Sequence, residues 1–408
     1  MRLFNVKLVL LAGYTKIVPK ILFDEFHTIN IHPSLLPNYK GLLDLNIHGA
    51  VLENQDKYTG CTLHEVVEDV DGGWILLQKQ MTVKTESIFT LKMQVQELEK
   101  MCVYEYICNY PKKIKYNVNV AEGNDFVNLL KKDNSFIGGF CATYKLDNGT
   151  VVGATVDGVG TKLDLAIKHN ILDTIGIDLV AMNVNDLIAG GFKVDFFMDY
   201  IAIDKMDKTR CYEIIKGIQE GCKIAKCSLI GGETAEMKNI YLKNKFDLAG
   251  FALGTQQIFL PKTTHMNENC YLYGLPSSGI HSNGYTLVNE LLLQECKTYP
   301  DIKTLLEPTR IYNEVYEYYE KYADKILGVA HITGGGFYDN LSRVIPEYLS
   351  FELINWEFPE IFKWIQYESN FSRRDMLNTF NCGYGMVFIT NSKVEFGDYI
   401  GRLKNKDQ

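Results

Sequence analysis

The pattern of apolar and polar positions in the first 110 residues alternates between strand-like and helix-like stretches. Residues 8–12 form a continuous apolar run, which is typical of a parallel strand covered on both faces. Residues 19–27 follow with helical spacing. The pattern therefore predicts a parallel sheet near the start of the chain.

Two further stretches complete the region. Residues 61–68 and 74–83 are rich in β-forming side chains on either side of a tight turn at 71–73. Residues 87–110 then show the period of an amphipathic helix, and we expect this helix to close the first domain. Its predicted apolar face consists of Leu91, Val95, Leu98, Cys102 and Tyr106.

Beyond a short basic linker at residues 111–116, the pattern changes to glycine-punctuated strands and helices. An apolar strand at 248–254 is followed by polar residues, which suggests a division near residue 256. The predicted domains are residues 1–112, 117–256 and 257–408. Their predicted fold class is α/β and α+β.

Composition and charge narrow the choice of partners. The 408 residues carry a formal net charge of -8, which leaves no electrostatic basis for binding nucleic acid without sequence preference. The ten cysteines are scattered, without a Cys-x-x-Cys pair or zinc-like histidine spacing, and this favours buried thiols in a reducing compartment. The apolar start is too short to span a membrane. We therefore expect a cytoplasmic protein with no nucleic-acid and no membrane partner.

Carboxylates beside glycines and amides indicate a nucleotide site in the second domain. Asp157 and Gly158 lie in the segment 155–162, Asp186 in 183–186 and Glu233 in 231–236, while 333–336 reads Thr-Gly-Gly-Gly. Glycines let the backbone approach a triphosphate, and carboxylates are hard oxygen ligands for the Mg²⁺ that accompanies ATP. No Gly-x-x-x-x-Gly-Lys-Ser/Thr loop occurs, which excludes a P-loop site. Taken singly, each of these glycine pairs more often marks a turn.

The joint order of these segments resembles the phosphoribosylformylglycinamidine cyclo-ligase family, also called aminoimidazole ribonucleotide synthetase. Selenophosphate synthetases and thiamine-phosphate kinases share the Asp-Gly and Asn-Asp motifs but not the sequences at 277–285 and 331–336. The matching stretches are 177–182, 217–221, 277–285, 307–312, 330–336 and 380–383.

The resemblance implies a two-lobed fold whose first lobe, 117–256, pairs with its twin in a homodimer. It also implies ATP-dependent ring closure of a phosphoribosyl substrate with Mg²⁺, with His281 and His331 as substrate or proton-transfer residues; a packing role for either histidine is the alternative. The implied ATP and phosphate residues are Asp157, Gly158, Gly160, Thr161, Lys162, Asn185, Asp186, Gly231, Gly232, Glu233 and Thr234. Those for metal are Asp157, Asp186 and Glu233, and those for substrate are Ser278, His281, Ser282, Asn283, Thr333, Gly334 and Gly335.

Two departures from the family pattern bear on activity. In the segment 116–124, Asn119 and Ala121 stand where the family carries carboxylates that close over ATP, so nucleotide affinity is expected to fall. The C-terminus also ends before a further helix of the family.

The first domain resembles phosphoribosylglycinamide formyltransferase. Asn30 and His32 alternate at a strand end and therefore share a face, followed by the 60–64 strand and by Asp71. An amide donor and an imidazole so placed can stabilise an oxyanion and carry its proton. The resemblance implies that Asn30 and His32 polarise the formyl group of 10-formyltetrahydrofolate and that Asp71 sets the protonation of His32. Formyltransferases acting on methionyl-tRNA share some of these elements, but the 62–64 strand and the 71–73 turn favour the glycinamide enzyme.

The family's opening strand and phosphate loop do not occur before Met1, so an exposed sheet edge is expected. Two hypotheses follow. The first is a purine-pathway fusion with an active cyclo-ligase half and a formyltransferase half that needs a partner to supply strands. The second is a catalytically weak protein that keeps both folds as binding or interaction modules.

Overall fold

The computed structural model describes residues 6, 8–108, 120–133, 139–293 and 300–406. Its contacts divide the chain into two compact units. The first unit comprises Met1–Ile114 with Gln366–Asp375, and the second comprises Lys115–Ile365 with Met376–Gln408. None of the described helices combines the length and the apolar character needed to cross a bilayer.

The first unit is built on a four-stranded sheet in the order β1-β2-β3-β4. Only β1 and β2 pair in parallel, whereas β2, β3 and β4 pair antiparallel, so the expectation of a parallel sheet is wrong beyond the first pair. A short turn joins β3 to β4, and strands joined in this way can only run in opposite directions. The elements are β1 (Val9–Ala12), α1 (Lys20–Glu25), β2 (Thr28–His32), α2 (Leu45–Glu53), β3 (Tyr58–Glu65), β4 (Ile75–Thr82) and α3 (Ile88–Cys108).

Strand β1 lies at the edge of this sheet, within the described residues, where the exposed edge was expected. Helix α3 covers the sheet with the predicted apolar face. Leu91, Val95 and Cys102 are fully buried and Tyr106 is nearly so, while Leu98 is partly buried against the same core. The period of α3 was therefore predicted correctly, because its apolar side chains recur at helical spacing.

The first lobe of the second unit is a five-stranded sheet in the order β5-β6-β9-β7-β8, antiparallel except for the β7–β8 pair. Helix α6 is almost wholly buried, and α7 packs against it. A Cβ on Gly217 would lie 2.3 Å from the carbonyl oxygen of Asp173, so only glycine allows this approach. The elements are α4 (Val120–Asp133), β5 (Ala142–Lys145), β6 (Val151–Gly158), α5 (Lys162–His169), α6 (Ile175–Ala189), β7 (Phe192–Ile203), α7 (Lys208–Ala225), β8 (Ser228–Glu236) and β9 (Phe246–Gln256).

The second lobe contains an antiparallel five-stranded sheet in the order β11-β13-β10-β14-β12. It begins after a 3₁₀ turn at Thr263–His265. The elements of this part of the chain are β10 (Tyr271–Pro276), α8 (Tyr285–Leu292), α9 (Ile302–Leu305), α10 (Val315–Tyr322), β11 (Ile326–His331), α11 (Gly336–Ser342), β12 (Leu349–Leu353), α12 (Glu360–Ser369), α13 (Arg373–Leu377), β13 (Tyr384–Thr390) and β14 (Asp398–Asn405).

Candidate active sites

Two predicted acids and one predicted histidine meet in the second unit. Asp157 lies near the end of β6, Asp186 in α6, and His331 at the end of β11. His331 Nδ1 lies 2.8 Å from a carboxylate oxygen of Asp186. Burial, and then the negative charge of Asp186, raise the pKa of Asp157 to about 6. The sequence separates these groups by up to 174 positions, and the fold brings them together.

The Asp157 and Asp186 pair fits a divalent cation. Two carboxylates that repel each other in a desolvated place are stabilised by a positive charge, and Mg²⁺ is commonly held by one or two carboxylates together with substrate phosphates. No group of three or more His, Cys, Asp or Glu side chains among the described residues could hold a metal ion by itself. The pair therefore suits a metal that arrives with a nucleotide.

Glu233 does not join this pair. Asp157 is in register with Gly250, Asp199 and Gly232 across the sheet, so Glu233, one residue further along β8, points to the opposite face. Its carboxylate is exposed and accepts a hydrogen bond from the N–H of Thr234. The prediction that Glu233 is a third metal ligand beside Asp157 and Asp186 is therefore wrong for this conformation.

Gly231, Gly232 and Thr234 lie beside Glu233 in β8. Gly231 has open space where a side chain would be, and Gly232 packs against the buried carboxylate of Asp199. Thr234 is half-buried in β8. Burial raises the pKa of Asp199. The predicted role of this segment in ATP binding remains a prediction.

Lys162 is placed differently from its prediction as a phosphate ligand. It is completely buried, and its ammonium lies 2.9 and 2.8 Å from the two carboxylate oxygens of Asp178. It also donates to the carbonyl oxygen of Glu307 at 2.7 Å. The ammonium is thus completely buried and donates two hydrogen bonds inside the protein, to Asp178 and to Glu307, rather than facing a phosphate. The assignment of Lys162 to phosphate charge is wrong.

Asn185 and the residues before α5 hold neighbouring loops in place. The Asn185 amide donates to the carbonyl oxygen of Arg310 at 2.8 Å and accepts from the N–H of Tyr312 at 3.2 Å. Gly160 has a φ of +75°, which favours glycine, and Gly158 ends β6. The Thr161 hydroxyl lies 3.2 Å from that of Thr286. Asn185 thus acts on the backbone of the second lobe, and a direct contact with ATP is not needed to explain it.

The predicted substrate loop at 277–285 surrounds a buried histidine. His281 has a φ of +65°, a strained conformation for a residue other than glycine. Its Nε2 accepts from the N–H of Ser278 at 3.2 Å, so its proton is on Nδ1, which is buried without a partner among the described atoms. Burial lowers the pKa of His281 well below its usual value, so the ring is neutral. Ser278 itself donates to the carbonyl oxygen of Pro308.

Two other residues of the 277–285 loop contact different parts of the protein. Asn283 faces the loop 333–336, and Ser282 faces the first lobe. A Cβ on Gly334 would lie 3.3 Å from the amide oxygen of Asn283, so the loops 277–285 and 333–336 touch. The Asn283 amide nitrogen is buried without a described partner. The Ser282 hydroxyl donates to Asp178 at 3.1 Å.

Asn340, which the sequence did not single out, shapes the glycine loop. Its fully buried amide donates to the carbonyl oxygens of Thr333, Gly334 and Gly336, and its oxygen lies 3.3 Å from the Thr333 hydroxyl. Gly335 has a φ of +85°. A polar residue on an amphipathic helix usually faces solvent, so no local signal marks Asn340 as the organiser of this loop.

In the first unit, Asn30, His32, His64 and Asp71 form a polar cluster. The carboxylate oxygens of Asp71 lie 3.4 Å from His32 Nδ1 and 3.5 Å from His64 Nε2, and the carboxylate accepts from the N–H of Gly41. The Asn30 amide lies 3.2 Å from His64 Nε2. His64 was noted only as part of a strand motif. Its membership of the site follows from the β2–β3 register, in which it is directly paired with Asn30.

The electrostatics of this cluster favour a neutral histidine beside an ionised acid. Burial lowers the pKa of His32, against the opposing charge of Asp71. Burial alone would raise the pKa of Asp71, but hydrogen bonds from His64 and the Gly41 N–H bring it below its usual value. The cluster lines a cavity of about 730 Å³ within the first unit. Such a volume accommodates a cofactor-sized ligand.

Comparisons with known proteins match both units. Residues 1–107 match the formyl transferase family, residues 138–256 the N-terminal domain of AIR synthase related proteins, and residues 267–403 their C-terminal domain. The chain is 42% identical over 308 residues to the chloroplastic phosphoribosylformylglycinamidine cyclo-ligase of Arabidopsis thaliana, covering 69% of this chain and 77% of that protein. It is 43% identical over 298 residues to the cyclo-ligase of Thermoanaerobacter pseudethanolicus, covering 67% of this chain and 88% of that protein.

These matches define a two-lobed AIR synthase-type protein preceded by a formyl transferase domain. The chain belongs to the phosphoribosylformylglycinamidine cyclo-ligase family. A solved structure of thiamine monophosphate kinase from Aquifex aeolicus has the same fold, with a TM-score of 0.51, 16% identity, and coverage of 69% of this chain and 94% of that one. The predicted fold class and family are confirmed.

Of the segment 116–124, Asn119 lies outside the described residues, and so do the side chains of Ala121 and Asn124.

Proposed function

We propose that this protein catalyses the ATP-dependent ring closure of formylglycinamidine ribonucleotide to aminoimidazole ribonucleotide in de novo purine synthesis. The observation that carries the proposal is the cluster of Asp157, Asp186 and His331 in a chain more than 40% identical to cyclo-ligases. In the proposed reaction, ATP phosphorylates the formyl oxygen of the substrate. An amidine nitrogen then attacks the activated carbon, and phosphate leaves with that oxygen.

Asp157 and Asp186 would hold the Mg²⁺ that accompanies ATP, and this ion would neutralise charge on the triphosphate. The two histidines have complementary roles in the proposal. Since His331 Nδ1 donates to the carboxylate of Asp186, its unpartnered Nε2 carries a lone pair and can accept the proton of the attacking amidine nitrogen. Since His281 carries its proton on Nδ1, it can donate a hydrogen bond to the substrate.

Electrostatics support placing the two histidines in one site. After burial, the charge of His331 is the next largest cause that lowers the pKa of His281. A Cβ on Gly385 would lie 2.5 Å from the His281 ring, so no residue larger than glycine fits there.

The test is an assay of the purified full chain with formylglycinamidine ribonucleotide, ATP and Mg²⁺. We expect aminoimidazole ribonucleotide, ADP and phosphate in equal amounts, and a loss of at least a hundredfold in kcat for His331→Ala. Asp164→Asn, which changes an exposed acid of the same lobe, serves as the matched control and should keep full activity. A wild-type chain that forms no product above the His331→Ala background would refute the proposal in favour of a binding module.

A second activity is favoured by the cluster around Asp71. We propose that the first unit binds 10-formyltetrahydrofolate in its cavity and transfers the formyl group to glycinamide ribonucleotide, with Asn30 and His32 contacting the formyl group. His64 and Asp71 orient those two residues. The full chain with both substrates should release tetrahydrofolate, and His32→Ala should abolish the release. Binding of the folate without turnover in the wild type would instead support a module that only binds.

We also propose a homodimer that forms through the first lobe of the second unit. One face of its sheet exposes apolar side chains: Val156 is 73% exposed and is in register with half-buried Phe251. Exposed apolar surfaces of this kind mark interfaces.

The nine described cysteines are free thiols, which supports a reducing, cytoplasmic setting.

A further inference from the structure

A buried ion pair links the two lobes of the second unit, and its partners are the loops proposed to hold the substrate. We name it the inter-lobe clasp: the side chains of Lys162, Asp178, Ser282 and Thr309, with the carbonyl group of Glu307. Lys162 in α5 and Asp178 in α6 belong to the first lobe. The other three belong to the second lobe, after residue 257.

Asp178 is the centre of the clasp. A single carboxylate oxygen accepts hydrogen bonds from the Thr309 N–H at 2.7 Å, the Thr309 hydroxyl at 2.6 Å and the Ser282 hydroxyl at 3.1 Å. The same carboxylate faces the Lys162 ammonium, and the Ser282 and Thr309 hydroxyls lie 3.0 Å apart. Both charged side chains are completely inaccessible to solvent.

Stability alone does not explain such a pair. Desolvating two charges costs so much that well-packed apolar residues usually stabilise a protein equally well or better. The clasp fixes the relative orientation of its partners. Hydrogen bonds of an ammonium and a carboxylate require particular distances and angles, whereas apolar contacts tolerate small shifts. The position of Ser282 beside His281, and of Thr309 beside Arg310, is thereby defined relative to α6.

Helix α6 also carries the other inter-lobe contacts of the site. Asp178, Asn185 and Asp186 are seven and eight positions apart and therefore share one helix face. Asn185 holds the backbone at 310–312, and Asp186 holds His331. One rigid, buried helix thus sets the position of the proposed acid pair against that of both histidines.

We infer that the inter-lobe clasp is a positioning device for ring closure, which holds the His281 loop in register with the Asp157 and Asp186 pair. This inference rests on the proposed cyclo-ligase function. The clasp residues do not touch substrate in it; they act through the 277–285 and 307–312 loops. Loss of one clasp hydroxyl should therefore slow the chemical step while leaving the ATP site, in the first lobe, able to bind.

The test compares Thr309→Val, which removes the hydroxyl at nearly constant volume, with Thr309→Ser, which keeps it. Thr390→Val is the matched control, because Thr390 is equally buried and its hydroxyl has no partner in the described structure. We expect Thr309→Val to lower kcat by at least tenfold with less than a threefold change in KM for ATP. Thr309→Ser should restore kcat to within threefold of wild type, and Thr390→Val should have no effect on it.

A second readout does not depend on activity. Hydrogen exchange of the free protein should show at least tenfold faster exchange of the 277–286 and 307–312 amides in Thr309→Val, and unchanged exchange in α6. Wild-type kcat in Thr309→Val, or unchanged exchange in those loops, overturns the inference. Loss of kcat that follows a matching loss of ATP affinity overturns it as well. A wild-type chain without ring-closing activity refutes the proposed function instead, and the exchange result then still decides whether the clasp orders the loops.

Discussion

At the residue scale, the site is a set of side chains whose protonation is set by their partners. Asp186 orients His331, and the Ser278 N–H orients His281. For these two histidines the partner decides which ring nitrogen carries the proton. His32 lies between two acceptors, Asp71 at Nδ1 and the carbonyl oxygen of Tyr39 at Nε2. The sequence alone does not show which nitrogen of a histidine is protonated.

Asp157 is held at a cost in stability. The pKa of its carboxyl is raised from 3.8 to about 6. Between these two pH values, the carboxyl is protonated in the folded protein but ionised in the unfolded chain. Stability from this group is present at low pH, falls as the pH rises from about 4 to about 6, and stays lowered above that. We expect Asp157→Asn to raise the free energy of unfolding at pH 7.5 by about 2 kcal/mol and to abolish ring closure.

Thermal unfolding of wild type and Asp157→Asn between pH 4 and pH 8 checks this prediction. The difference between the two proteins should shrink towards pH 4, and Mg²⁺ with ATP should raise the melting temperature of the wild type only. Equal or lower stability of Asp157→Asn at pH 7.5 would contradict it.

At the element scale, helices α3 and α6 organise their units in different ways. Helix α3 has an apolar stripe that packs on one sheet, and its opposite face is exposed to water. The helical spacing of its apolar residues therefore predicts which face is buried. Helix α6 is buried nearly all round, and its polar residues serve as connections to the other lobe. A periodic pattern predicts the first kind of helix and says little about the second.

Leu91 and Met93 of α3 offer a matched pair for testing the first role. Leu91 is fully buried, whereas Met93 is 69% exposed two positions later. Leu91→Ala should lower the free energy of unfolding of the first unit by about 2–5 kcal/mol, because it leaves a cavity in the core. Met93→Ala should change it by less than about 0.5 kcal/mol. Denaturant titrations followed by a first-unit probe such as Trp74 fluorescence measure both; equal effects would mean that α3 packs differently.

The loop at residues 333–336, after β11, depends on contacts from helix α11. The two amide hydrogens of Asn340 in α11 are shared among the carbonyl oxygens of Thr333, Gly334 and Gly336, so Asn340→Ala removes the side chain that holds this loop. We expect at least a tenfold rise in KM for the phosphoribosyl substrate with a smaller change in KM for ATP. Steady-state kinetics with each substrate varied in turn would show it, and an unchanged KM for the phosphoribosyl substrate would exclude the loop from the substrate site.

At the scale of the whole molecule, two units of different ancestry share one chain. The first carries the Asp71 cluster and its cavity, and the second carries the acid pair and the two histidines. Each unit has its own sheets and core, and the residues proposed for each reaction lie within one unit. The chemistry of each half can therefore be tested by substitutions that leave the other half intact.

The proposed dimer belongs to this scale. Val156→Lys places a charge in the middle of the uncovered apolar sheet face, where Val156 is 73% exposed and its replacement is harmless to a monomer. Sedimentation equilibrium should show a dimer for the wild type and at least a tenfold weaker dimer for Val156→Lys. The exposed Lys168→Ala, in helix α5 of the same lobe and outside that sheet, is the control. A wild-type monomer at micromolar concentration would reject the dimer.

The sequence by itself determined the family, the fold class and the apolar face of α3, since these depend on local spacing and on the order of motifs. Only the tertiary structure decided which polar groups meet. Strand register turns Glu233 away from Asp157 and pairs His64 with Asn30. Burial commits Lys162 to Asp178 instead of a phosphate. A side chain's face and its partners depend on pairing between distant strands and helices, and no local pattern encodes that.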